Sequence, residues 1–139
     1  MPSTFSIPVR VYIEDTDAGG IVFYVNYLKY MERSRTEFMR SLGYDKPAVM
    51  DDGALLVVHT AQVMYKKPAL LDDALTVSVS LRELARSYVV FEQTVCRAGE
   101  LLCTADIKVA CVKQGSMRPT AMPLAMRESM LPFVGDNEK

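Results

Sequence analysis

Glu14–Phe38 reads EDTDAGGIVFYVNYLKYMERSRTEF, and this stretch decides the fold. Three carboxylates, Glu14, Asp15 and Asp17, run into Ala18-Gly19-Gly20, then an apolar step, then a long helix-forming segment. Paired glycines permit backbone angles that a side chain forbids, so the chain can reverse sharply there. Asn26 is placed to cap a helix over Asn26–Leu42. In that helix Tyr27, Leu28, Met31, Ser34, Phe38 and Leu42 share one stripe, and Lys29, Glu32, Arg33, Glu37 and Arg40 point away. Gly43 supplies the stop. A carboxylate therefore sits beside the N-terminus of a helix with an apolar face.

Outward from this segment the period becomes two. Upstream, Ser6–Glu14 reads as a strand with Val9, Val11 and Ile13 on one side. Downstream, Asp45–Asp52 reads as a short helical turn before Gly53. Leu55, Val57, His59, Ala61, Val63 and Tyr65 then share a face, ending at Lys66-Lys67-Pro68. Leu75, Val77, Val79 and Leu81 alternate with Thr76, Ser78, Ser80 and Arg82, the pattern of a half-buried antiparallel strand. Arg86-Ser87 is a turn, Tyr88–Arg97 a strand, Ala98-Gly99 a hairpin turn, and Leu101–Lys113 the last long strand. Pro123 is placed to begin a short helix to about Leu131, and Gly135–Lys139 reads as a frayed tail.

The order is strand, long helix, four strands. A single apolar helix face needs an apolar sheet face, so the expected class is α+β, with an antiparallel sheet wrapped around Asn26–Leu42. Ser34, small and mid-stripe, lets helix and sheet approach closely. Residues 1–139 read as one domain. The sheet has edges to cover, and pairing with a second copy predicts a homo-oligomer.

Composition excludes several classes. With 50% hydrophobic and 24% charged residues the chain is an ordinary globular sequence. A net charge of −1 offers no basic footprint for nucleic acid. No apolar run approaches the roughly 18 residues that span a bilayer. The N-terminal residues show no secretory pattern, so the expected location is cytoplasmic. Cys96, Cys103 and Cys111 form no CxxC; Cys103 and Cys111 share parity with Leu101, Ala105, Ile107 and Val109 and read as buried thiols. There is no GxSxG elbow, no zinc-ligand spacing and no phosphate-binding glycine motif. The only histidine, His59, reads as a hydrogen-bonded core or interface residue.

What remains is Asp17 before a helix start. First-turn N–H groups lack intrahelical partners and favour negative charge, so amides around Tyr24, Val25 and Asn26 suit a developing oxyanion. Asp17 would then attack a reactive carbonyl or deprotonate water. A carboxylate is a weak nucleophile, which favours an activated acyl group such as a thioester. The alternative is that Glu14, Asp15 and Asp17 are solvated turn carboxylates, with Asp15 accepting the backbone bonds that hold the loop.

The segment VRVYIEDTDAGGIVFYVNY (Val9–Tyr27), continuing through Glu32-Arg33 and Arg35-Thr36-Glu37, resembles the hot-dog-fold acyl-CoA thioesterases, specifically the 4-hydroxybenzoyl-CoA thioesterase family with its Tol–Pal-associated branch. Weaker echoes lie at Tyr65-Lys66-Lys67-Pro68-Ala69 and Leu71-Asp72-Asp73. The resemblance implies a five-stranded antiparallel sheet around one long central helix, and dimers assembled into tetramers with active sites at the dimer interface. It also implies a catalytic aspartate at Asp17, a helix-start amide near Tyr24, and no metal or redox cofactor. Tyr24 stands where the Tol–Pal branch commonly carries histidine; the aromatic-acyl branch has tyrosine there, but favours Asp-Pro-Ala-Gly over Asp17-Ala18-Gly19-Gly20. The acyl group, aliphatic or aromatic, stays open. Coenzyme A carries phosphates, for which Lys66, Lys67, Arg82 and Arg86 are candidates. The expected activity is acyl-CoA thioester hydrolysis to free acid and CoA. A non-catalytic acyl-thioester-binding protein and a hot-dog hydratase are the other readings, the last disfavoured by a sole histidine without a partner motif.

Overall fold

Alternation is strictest in Ala74–Leu84, and there the backbone follows it: Leu75, Val77, Val79 and Leu81 are buried, while Thr76 and Arg82 face solvent. The computed structural model describes residues 3–45 and 53–135. Five strands, β1 (Phe5–Arg10), β2 (Ala54–Tyr65), β3 (Ala74–Leu84), β4 (Tyr88–Arg97) and β5 (Glu100–Lys113), form one antiparallel sheet in the order β1-β3-β4-β5-β2. The β4–β5 hairpin turns on Ala98 and Gly99, both at positive φ (50° and 84°), which is the two-residue turn whose twist matches the strands. Pro123 precedes a short helix, α2 (Leu124–Met130), whose Met126 and Met130 are fully buried.

The long helix α1 (Val25–Ser41) lies across β1, β3 and β4. Ser34 is fully buried, and its hydroxyl donates to Val77 O at 2.9 Å. Gln93, also fully buried, donates to Met31 O at 3.0 Å, tying β4 to the same helix. Phe38 closes the far end of the stripe, edge-on to Phe5, Phe91 and Phe133 with centroids 5.7, 6.1 and 4.8 Å away. The helix-and-sheet core expected from the periodicities is present. It is the hot-dog arrangement.

Several boundaries differ. β1 ends at Arg10, and Ile13–Asp15 is a 3-10 turn in which Ile13 is 75% exposed. Asp15 is the reason: its N–H donates to Tyr12 O at 2.9 Å and its carboxylate accepts from Tyr12 N at 2.9 Å, a local closure that ends the strand. The helix starts at Val25, and Asn26 does not cap it; the Asn26 amide group donates instead to Asp15 O at 2.8 Å. Tyr30 and Met39 join the buried face.

β2 differs most. Of its expected buried face, Leu55, Val57 and Val63 are half-buried and His59, Ala61 and Tyr65 are exposed. Among the described residues β2 pairs only with β5, at the sheet edge beyond the strands that α1 covers, and a bulge between Val58 and Thr60 breaks its parity at His59. His59 is thus no core residue. A second irregularity, between Val95 and Cys96, puts Leu102 inside and leaves Leu101 36% exposed. Of the helical turn expected at Asp45–Asp52, residues 46–52 lie outside the described residues, as do residues 136–139 of the expected frayed tail.

Cys103 and Cys111 are buried as their parity implied. Burial pushes the Cys103 thiol from 9.0 up to about 12. Below pH 9 that thiol is protonated in both folded and unfolded chains and contributes no pH dependence. Above it the unfolded chain ionises while the folded one holds its proton, so stability falls as pH rises. Tyr27 and Tyr30, both raised above 10.0 chiefly by burial, act in the same direction. The urea midpoint is therefore expected to drop between about pH 8.5 and about pH 11, and Cys103→Ala to flatten the first part of that drop. An unchanged midpoint across that window would contradict these assignments. Among the described residues, no helix is long and apolar enough to cross a membrane.

Candidate active site

Asp17 sits in a tight reversal. Its N–H donates to Ile21 O at 3.0 Å, its carbonyl accepts from Gly20 N at 3.0 Å, and its Oδ1 accepts from Gly19 N at 2.9 Å. Gly20 is at φ +80°, which L side chains rarely adopt. The side chain is exposed, and its second oxygen has no hydrogen-bond partner among the described residues. One oxygen is fixed and the other is free to react.

The loop carrying Asp17 rests on residues 69–73. Val22 N donates to Ala69 O (2.9 Å), Leu71 N to Gly20 O (3.2 Å), and Asp72 N to Val11 O (3.0 Å). Ala69 N in turn donates to the Tyr27 hydroxyl at 2.9 Å. Arg97 fastens that platform from β4, contacting Asp73 at 2.7 Å, Glu100 at 2.9 Å and Pro68 O at 3.3 Å. The motif echoes at Tyr65–Ala69 and Leu71–Asp73 are thus the support of the glycine loop. Beyond Lys66 and Lys67 as phosphate candidates, sequence reasoning gave these residues no role at the site. Their resemblance to the family was the available signal.

Asp15 faces inward and is buried. Its carbonyl accepts from Phe23 N at 2.9 Å as well as from the Asn26 side chain, so it joins the loop to the helix start. The Tyr30 hydroxyl is buried with no hydrogen-bond partner among the described residues, and burial first, then the Asp15 carboxylate, holds it protonated.

At the helix start the three candidate amides separate. Asn26 N is committed to Phe23 O at 2.8 Å, whereas the N–H groups of Tyr24 and Val25 have no acceptor among the described residues. Rings of Phe23, Tyr24 and Tyr65, each roughly half-exposed, stand beside them, with Tyr24 centred 5.0 Å from Phe23 and 6.0 Å from Tyr65. Two unpaired donors and an aromatic wall stand at the helix start, and the loop that carries Asp17 is tied to it through Asp15.

The candidate cations divide. Lys66 and Lys67 follow Tyr65, and both backbone amides are held by Leu102 O; the Lys67 ammonium pairs with Glu100 at 2.8 Å. Arg82 lies on the outer sheet face between Glu92 (2.9 Å) and Asp106 (3.1 Å), and with Lys66 it lines a groove of about 370 Å³. Arg86 lies past the end of β3, its carbonyl accepting from Met122 N at 2.8 Å. At about 3.3 Å per residue, β3 carries Arg82 roughly 30 Å from the Asp73 end that meets the loop, and Arg86 further still. Of the four candidates, the two lysines directly precede the 69–73 platform in the chain. No group of three or more histidine, cysteine or carboxylate side chains able to hold a metal occurs among the described residues.

A family model described as the Thioesterase-like superfamily matches residues 11–130, from the turn before Asp17 through the end of α2. The chain belongs to this superfamily. Acyl-CoA thioesterase YbgC of Haemophilus influenzae is 43% identical over 120 residues, covering 86% of this chain and 88% of that protein. Acyl-CoA thioester hydrolase YbgC of Escherichia coli O6:H1 is 39% identical over 120 residues, covering 86% of this chain and 90% of that protein. A hypothetical protein from Aquifex aeolicus has a solved structure that superposes with a TM-score of 0.83 at 34% identity, covering 91% of this chain and 98% of that one. This thioesterase-like chain thus keeps its relatives' fold over nearly its whole length.

Proposed function

We propose that this chain is an acyl-CoA thioesterase that uses Asp17 as its catalytic carboxylate. The observation that carries the reading is the pairing of one unengaged Asp17 oxygen, on a loop fixed by the 69–73 platform, with unpaired N–H groups of Tyr24 and Val25. The thioester carbonyl oxygen takes those two N–H groups as its donors. Asp17 attacks the carbonyl carbon, or deprotonates the water that does, and negative charge grows on the oxygen the amides hold. Collapse expels the CoA thiolate; in the general-base route this gives the acid directly, and in the nucleophilic route it leaves an Asp17 acyl anhydride that water hydrolyses. A thioester suits this site because its carbonyl is activated and its leaving group is good, so no metal or redox cofactor is called upon. The activities named for the Haemophilus influenzae and Escherichia coli relatives support the same reaction.

The working unit in this reading is a cytoplasmic homo-oligomer, a dimer assembled further into a tetramer. β2 is an unpaired sheet edge carrying exposed Val58, Met64 and Tyr65, the kind of edge a second copy covers. Such pairing also gives Arg82 and Arg86 a route to the CoA phosphates of a neighbouring site, which they lack within one chain. Sedimentation is expected to return a multiple of 15.5 kDa, and a monomer would remove this part of the reading.

Thiol release from short-chain, long-chain and aromatic acyl-CoAs tests the activity. Saturable release from at least one class is expected, and the best substrate assigns the aliphatic or aromatic preference. Binding of acyl-CoA with no release from any class would leave an acyl-thioester-binding protein.

A further inference from the structure

Tyr65 ends β2, and its hydroxyl donates to the carbonyl of Tyr24 at 3.2 Å. The ring is set edge-on against Tyr27, 5.5 Å between centroids, and against Tyr24. Tyr27 is itself locked by the N–H of Ala69. The Tyr65 hydroxyl is therefore aimed by the same platform that carries the Asp17 loop.

The Tyr24 carbonyl and the Val25 N–H are the two ends of one planar trans peptide. Whatever fixes the carbonyl fixes the direction of the N–H on the opposite side. In the first turn that carbonyl accepts a long bond from Tyr27 N at 3.3 Å. A second donor on the same oxygen both orients the peptide and polarises it, making the N–H a stronger donor. We infer that Tyr65 is a positioning residue for catalysis: by donating to Tyr24 O it holds and polarises the peptide whose Val25 N–H stabilises the oxyanion. This rests on the thioesterase reading above and adds to it a residue from a strand some forty positions away. Its effect falls on the transition state, since an oxyanion draws on donor strength far more than a neutral carbonyl does.

Tyr65→Phe keeps the ring and its edge contacts and deletes only the donor. On the best acyl-CoA, kcat is expected to fall about three- to tenfold, the value of one such bond, with KM within about twofold. Affinity for a non-hydrolysable thioether analogue of that substrate, the melting temperature and the oligomer size are expected to match wild type. In a nitrogen–proton correlation spectrum the Val25 amide proton is expected to move upfield as its peptide loses polarisation. Wild-type kcat with an unmoved Val25 resonance would overturn the inference and leave the thioesterase reading intact. A loss shared equally by kcat/KM and analogue affinity would also overturn it, placing Tyr65 in substrate binding instead. Absence of thiol release by wild type would overturn both.

Discussion

Asp17→Asn is expected to lower kcat about a thousandfold while leaving the fold, the oligomer and the affinity for acyl-CoA unchanged. The substitution is a clean one. Asparagine keeps the oxygen that accepts from Gly19 N, so the local turn survives, and asparagine is itself a favoured residue in such turns. What changes is the other oxygen, which becomes an amide nitrogen with neither negative charge nor an available lone pair. Nucleophilic attack and general-base catalysis are lost together, whichever of the two Asp17 performs. The Tyr24 and Val25 amides remain, so residual activity above the uncatalysed rate is expected. Thiol release under saturating substrate gives kcat, and circular dichroism with sedimentation shows that structure is retained. A variant that keeps wild-type kcat would move the chemistry to another group, with Tyr24 and then His59 as the next to replace.

The largest expected effect on stability comes from Ser34→Leu. Ser34 is fully buried where α1 crosses β3, and its hydroxyl reaches Val77 O at 2.9 Å. That distance measures how closely the helix axis approaches the sheet. A leucine there cannot be accommodated by a rotamer change, because strand backbone stands in front of it. Overpacking of about 1–3 kcal/mol adds to roughly 1 kcal/mol for the lost hydrogen bond, about 3 kcal/mol in all. The urea midpoint is expected to fall accordingly with the slope unchanged. Ser34→Ala, which loses only the hydroxyl, is expected to cost about 1 kcal/mol. If leucine cost no more than alanine, the close helix–sheet approach would be wrong.

Much of this architecture is legible from residue patterns because it is set locally. The β3 alternation, the Ala98-Gly99 turn and the α1 stripe each follow from one segment's own period or φ requirements. β2 shows where that logic stops. Alternation says which residues share a face, but burial depends on whether α1 lies over that face, and β2 is an edge strand beyond it with a bulge at His59. Ile13 misleads for a different reason: it keeps the parity of Val9 and Val11, yet the Asp15–Tyr12 closure has already ended the strand.

The site divides along the same line. Asp17 stands out as a candidate because carboxylates beside paired glycines before a helix are a local pattern, and the family resemblance singled it out from Glu14 and Asp15. Asn26 N is lost to Phe23 O by a turn bond that no residue pattern announces. Tyr65, Asp73 and Arg97 act on the site across the sheet, through register between segments 40 or more positions apart in some cases, as between Tyr65 and Tyr24. The cations follow the same logic: residue type names Arg82 and Arg86, but only the sheet shows how far β3 holds them from the platform at its other end.

The most direct test is a product balance on purified protein with its best acyl-CoA, measuring free CoA thiol and free carboxylic acid together in wild type and Asp17→Asn. Thioester hydrolysis at Asp17 predicts thiol and acid in equal amounts from wild type, and about a thousandfold less of both on the same timescale from the variant. Thiol without matching acid, or equal product from both proteins, would contradict it.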